Sequence, residues 1–194
     1  DSLFLKCDLK NIEELKSSLE KVKKEIGPIS ILVNNAANDE RHDLDSVTPE
    51  YWDDRMNINL RHYFFTTQTV YKDMKDFGKG SVVNIGSFSW MISQGGMPGY
   101  TTAKSAIMGL TRTLARDLGV YNIRVNCIVP GWIITDRQKK LWLTPEIEKT
   151  QLERQCIKRM LMPEDISKPV LFFASDQSSG CTAQNYVIDG GIVN

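Results

Sequence analysis

The chain has 194 residues, 41% of them hydrophobic, and its 24 basic and 24 acidic side chains cancel to zero formal charge. That length supports one domain with a sizeable core, and the charge balance argues against an electrostatic nucleic-acid binder. No apolar run approaches the roughly 18 residues of a membrane span, and no signal-peptide pattern opens the chain.

Short apolar runs alternate with longer amphipathic segments, with no internal repeat and no linker. Phe4–Cys7, Ile29–Asn35, Ser81–Ser87, Ile123–Pro130 and Asn185–Asp189 read as strands, β-branched and bounded by Gly, Pro or Asn. Their near-continuous apolarity suggests burial on both faces, as in a parallel sheet. Asn11 can cap a first helix, with Glu14 completing a capping box and Gly27-Pro28 stopping it. Thr48-Pro49 opens a long helix to about Lys75, with Pro at the first helical position. Further helices run from about Tyr100 to Leu118, from Thr144-Pro145 and from Pro163. Strand–helix alternation predicts an α/β, Rossmann-like doubly wound parallel sheet, read as a single domain over residues 1–194. Ligands of such sheets lie beyond the carboxyl ends of the strands, which directs attention to Asn34-Asn35, Ser87 and Pro130-Gly131. Cys7, Cys127, Cys156 and Cys181 show no CxxC spacing, and only two histidines could join them. Metal or redox use is therefore not expected, and free thiols suit a reducing cytoplasm.

Tyr100 and Lys104 stand four residues apart at the start of a helix, on one face, so both can address one ligand. A tyrosine with a pKa of about 10 is a poor base near neutrality, and lowering it by three units takes roughly 4 kcal/mol. A lysine cation about 4 Å away in a half-dry site contributes on the order of 4 kcal/mol. Burial opposes the phenolate, while the helix N-terminus favours it by roughly 0.3–1 kcal/mol. One lysine is then about enough to make the phenol a proton acceptor. A YxxxK pair alone is a weak signal; the residues around it make it specific. Ser87 ends a strand upstream, and Asn59 places a polar side chain inside the long helix.

With these residues the sequence resembles the short-chain dehydrogenase/reductase family. The family's Asn-Ser-Tyr-Lys tetrad falls on Asn59, Ser87, Tyr100 and Lys104 without gaps. Its NNAG motif falls on Asn34–Ala37, and its PGxxxT turn on Pro130, Gly131 and Thr135. The resemblance runs from Asp8 to Asp189-Gly190-Gly191. It implies an NAD(P)-dependent oxidoreductase in which Tyr100 is the general base. Ser87 would hold the substrate oxygen and stabilise its developing charge. Lys104 would bind the nicotinamide ribose and depress the Tyr100 pKa, and Asn59 would organise a proton-relay water. Asp8 and Leu9 would contact the adenine. Asn35, Ala36 and Ala37 would line the ribose and stabilise the central strand. Pro130, Gly131, Ile133 and Thr135 would hold the carboxamide and pyrophosphate.

Two features depart from the family pattern. Ala37 stands where the motif usually has Gly, which is tolerable at negative φ. The Gly-rich turn and the first two strands of the family order 3-2-1-4-5-6-7 have no counterpart in the sequence. The chain also opens with Asp1 rather than Met. The expectation is a chain starting at strand 3, lacking the first β-α-β segment, with about 50–60 residues preceding it in the family. A gap of roughly 10 Å would then separate Phe4–Cys7 from the next strand.

Asn38–His62, Gly86–Trp90 and Asp136–Asp176 resemble the aldose 1-dehydrogenase branch, D-xylose 1-dehydrogenases in particular. This implies oxidation of an anomeric hydroxyl to a lactone with NAD as acceptor, NADP remaining open. Asn38, Arg41, Ser87, Ser89, Trp90 and Trp132 could supply the polar groups and apolar face a sugar needs. Another sugar such as L-arabinose or galactose, or a steroid, acyl or simple alcohol, are alternatives. So is an inactive fragment with a binding or scaffolding role, which need not bind NAD. The family resemblance also implies a homodimer or homotetramer, through the two long helices and the Asn185–Gly191 end.

Overall fold

The computed structural model describes residues 2–193. Four parallel strands, β1 (Ile31–Asn34), β2 (Gly80–Ile85), β3 (Ile123–Pro130) and β4 (Asn185–Ile188), lie in the order β1-β2-β3-β4. Helix α1 (Ile12–Glu25) precedes the sheet; α2 (Pro49–Met56) and α3 (His62–Asp76) connect β1 to β2. Helix α4 (Pro98–Leu118) connects β2 to β3, and α5 (Asp136–Leu141), α6 (Pro145–Arg154) and α7 (Pro163–Ala174) connect β3 to β4. This is the predicted α/β doubly wound architecture.

Helices cover both faces of the sheet. On one, Val70 and Met74 of α3 and Leu114 and Leu118 of α4 pack on Val82 and Val125. On the other, Phe173 of α7 packs on Val83, Ile85 and Ile128. Each fully buried side chain of this kind contributes roughly 1.5–3 kcal/mol. Between β1, β2 and α4 runs a buried polar chain: Asn34 Nδ2 donates to Asn84 Oδ1 (2.9 Å), and Asn84 Nδ2 donates to Thr111 Oγ1 (3.0 Å). Thr66 Oγ1 donates to Asn34 Oδ1 (2.7 Å), so the chain is saturated and locks β1 to its neighbours. The strand is therefore held by Asn34, whereas Asn35, Ala36 and Ala37 are exposed beyond its end.

Four sequence expectations change. Phe4–Cys7 forms no strand and no ladder: among the described residues no strand pairs with it to supply its hydrogen bonds. β1 is not buried on both faces: Ile31 and Val33 are exposed at an edge. At α1, Asn11 Oδ1 accepts from Glu14 N–H (3.2 Å) as expected, but Glu14 reaches back to Asp8 N–H, not to Asn11. The Asn11 N–H already donates to the Asp8 carbonyl, leaving Glu14 the next free donor. The long helix is interrupted, since Asn57–Arg61 widen into a π-turn between α2 and α3. Helix α5, capped by Thr135 Oγ1 accepting from Gln138 N–H, was not read from the sequence.

Candidate active site

The carboxyl ends of β2 and β3 open into a cavity of about 530 Å³. Ser87 reaches it two residues beyond β2, and Tyr100 from the first turn of α4. Gly131, Trp132, Ile133 and Thr135 line it from the segment after β3. Gly131 is needed there for a close approach: a Cβ would fall 2.6 Å from Asp189 Cα. Pro130 and Lys104 lie off the cavity wall, as do Asp8, Leu9 and Asn35–Ala37. Ala37 stays outside the left-handed region, so the missing glycine costs no strain.

Ser87 Oγ donates to Ser89 Oγ (3.0 Å) and accepts from Ser89 N–H (3.2 Å), which fixes its direction. Asn59 sits in the π-turn, fully buried. Its Oδ1 accepts from Asn38 N–H (2.8 Å), while its Nδ2 has no partner among the described residues. From the π-turn this polar side chain reaches the loop after β1. Asn38 is thereby used as a backbone donor and does not line the cavity. Trp90 is also absent from the wall, its indole N–H buried without a partner among the described residues. Both depart from the substrate role expected of them. Arg41, Ser89 and Trp132 do line the cavity, and Arg41 lies over the Trp142 ring at 4.5 Å.

Lys104 does not act on Tyr100 here as the spacing predicts. Its Nζ donates to Tyr63 Oη (3.0 Å) and to the Ile85 carbonyl (2.8 Å), 5.7 Å from the Tyr100 ring centroid. Burial then dominates. It pushes the Tyr100 phenol up to about 12, with the Ser87 hydroxyl opposing and the Asp39 charge adding to it. Burial pulls the Lys104 ammonium down to about 8. Tyr63, which the sequence reading did not single out, thus completes the seat of Lys104 and itself donates to the Ile85 carbonyl (2.9 Å). Also missed were Asp39, Gln94, Gln138, Trp142 and Arg154 on the cavity wall.

The whole of residues 1–193 matches the family model described as Enoyl-(Acyl carrier protein) reductase, of the adh_short_C2 type. The chain belongs to the short-chain dehydrogenase/reductase family. It is 47% identical over 189 residues to the Rhizobium meliloti protein named "Probable galactose dehydrogenase", covering 97% of this chain and 74% of that one. It is 49% identical, with the same coverage, to D-xylose 1-dehydrogenase of Caulobacter vibrioides. Among solved structures, a candidate short-chain alcohol dehydrogenase from Sinorhizobium meliloti superposes with a TM-score of 0.91 at 29% identity, over 97% of this chain and 75% of that one. As a member of this dehydrogenase/reductase family the chain is an oxidoreductase acting on CH–OH groups, and the family implies a nicotinamide dinucleotide, NAD or NADP. The residues present fit the reactive end of such a group. Gly131, Ile133 and Thr135 line one cavity with Ser87 and Tyr100, and the Asn59 amide, whose Nδ2 has no partner among the described residues, and the Lys104 ammonium are both buried.

Proposed function

We propose that the chain oxidises the anomeric hydroxyl of a cyclic aldose to the aldonolactone, with NAD as acceptor. The observation that carries this reading is that Ser87, Tyr100 and Trp132 line one cavity, in a chain nearly half identical to relatives named for xylose and galactose. When bound, the nicotinamide supplies the two-electron acceptor for the hydrogen on C1. Ser87, its Oγ held by the Ser89 N–H, turns its O–H from Ser89 Oγ to the reacting oxygen and stabilises its developing charge. Tyr100 takes the hydroxyl proton. Lys104 holds the nicotinamide ribose hydroxyls, and the Ser87 hydroxyl opposes the rise that burial imposes on the Tyr100 phenol. Asn59 holds a relay water on its unpartnered Nδ2.

In the same reading Asp8 and Leu9 meet the adenine. Asn35, Ala36 and Ala37 line the ribose, and Pro130, Gly131, Ile133 and Thr135 hold the carboxamide and pyrophosphate. Arg41, Ser89 and Trp132 meet the sugar. The exposed Phe64 of α3 and Tyr186 of β4 suit a homodimer or homotetramer, and four unpaired cysteines suit the cytoplasm.

The test is NADH formation with D-xylose, L-arabinose and D-galactose. Turnover on one of them is expected. Tyr100→Phe should lower it by at least about 100-fold while NAD affinity stays within a few-fold. Turnover retained by the phenylalanine variant would remove Tyr100 from the role of base, and no turnover on any sugar would remove the aldose.

A further inference from the structure

We propose that Asp39 is a specificity-determining residue, its carboxylate reading a pair of substrate hydroxyls from a seat fixed by Gln138. This rests on the aldose reading above. Asp39 lies on the loop after β1 and lines the same cavity as Ser87 and Tyr100. Its Oδ2 accepts from Gln138 Nε2 (3.1 Å), and its Oδ1 from Arg137 Nη2 (3.2 Å). Gln138 Oε1 in turn accepts from Trp132 Nε1 (2.7 Å). An indole can only donate and a carboxylate can only accept. The Gln138 amide therefore has one orientation that satisfies both neighbours, and that orientation sets carboxylate and indole side by side on the wall.

The ion pair is a weak account of this carboxylate, because Arg137 is 58% exposed and such surface pairs contribute little. A carboxylate offers about four acceptor positions, and the hydrogen bonds found for Asp39 among the described residues use two of them. The remainder suit two neighbouring O–H donors, as on adjacent carbons of a pyranose, in charge-assisted bonds stronger than neutral ones. The Trp132 ring beside them offers an apolar face to the sugar C–H groups. An apolar alcohol would leave the carboxylate partly desolvated and unsatisfied, the situation in which a hydrogen-bonding site rejects its analogue most strongly.

The experiment compares the wild type, Asp39→Asn and Arg137→Gln on D-xylose, D-galactose, their mono-deoxy analogues and cyclohexanol. The wild type should prefer a parent sugar over at least one deoxy analogue by about 100-fold or more in kcat/KM. Asp39→Asn should lose a similar factor on the parent and treat the two sugars within about threefold, with KM for NAD unchanged. Arg137→Gln, which keeps the carboxylate, should retain the discrimination. If Asp39→Asn keeps the wild-type ratio, or Arg137→Gln loses as much, the assignment is overturned in favour of a purely structural clasp. Tryptophan fluorescence titrated with each sugar separates this from failure of the aldose reading. A sugar-dependent quench present in the wild type and lost in Asp39→Asn supports the assignment even without turnover. Equal quenching in both, or none in either, overturns it.

Discussion

Lys104 is a costly side chain to bury. Its ammonium is almost wholly buried and has one phenol oxygen and one carbonyl for company. Holding it at a pKa of about 8 costs on the order of 3 kcal/mol at neutral pH. Replacement by Met keeps the length and apolar volume of the side chain. It creates no orphan, because the Tyr63 hydroxyl still donates to the Ile85 carbonyl. Lys104→Met should therefore raise the melting temperature at pH 7 by roughly 5–10 °C while abolishing turnover. The pH dependence gives the sign. Below about 8 the lysine is charged in both folded and unfolded chains and the full penalty applies. Between about 8 and 10.5 the native chain binds fewer protons than the unfolded one, so wild-type stability rises with pH. The advantage of the methionine variant should shrink through that window and vanish above it. A constant difference in melting temperature from pH 7 to pH 11 would show that the burial penalty is not what separates them.

At the scale of elements, the glycine after β3 fixes how closely β3 and β4 end together. A Cβ on Gly131 would meet Asp189 Cα at 2.6 Å and Cβ at 2.7 Å. Asp189 cannot easily yield, since its carboxylate accepts from Gly191 N–H (2.8 Å) and Val193 N–H (2.7 Å). Gly131→Ala should cost roughly 1–3 kcal/mol or more in urea unfolding. Gly119→Ala, at negative φ with nothing within 4 Å of the added methyl, should be neutral or stabilising by up to about 1 kcal/mol. Equal effects at the two positions would refute the close-approach argument. The contrast also shows what was readable in advance. Pro130-Gly131, Ser87, Tyr100 and Lys104 announce themselves by local motif, and four of the five strands by local pattern. The Asp39–Gln138 clasp joins residues 99 positions apart, so no local signal marks it. Tyr63 was hidden because a tyrosine inside an amphipathic helix looks like packing until its hydroxyl is located. The direction taken by Lys104 escaped for a related reason: spacing places it on the right face, but its partners decide where the Nζ goes.

For the whole molecule, the arrangement of the sheet decides which apolar residues stay covered. β2 and β3 are central, clad by helices on both faces, and β4 closes one side. β1 closes the other, with Ile31 and Val33 exposed by 48% and 41% on one face and no ladder on its outer side among the described residues. Phe4–Cys7 shows why a strand is not a local property: its pattern is right, but among the described residues it has no adjacent strand and so no ladder to join. An exposed apolar edge is a template for pairing with another chain, and charged residues are the usual guard against it. The 194-residue chain should therefore associate as its concentration rises, by sedimentation velocity or light scattering. Val33→Lys places a charge on that edge at a side chain already 41% exposed, and should change unfolding free energy by about 1 kcal/mol or less. It should also suppress much of the association. Phe64→Arg, on α3 and away from the edge, should leave the edge-driven association intact. Association unchanged by Val33→Lys but lost with Phe64→Arg would move the contact from the sheet edge to the helices.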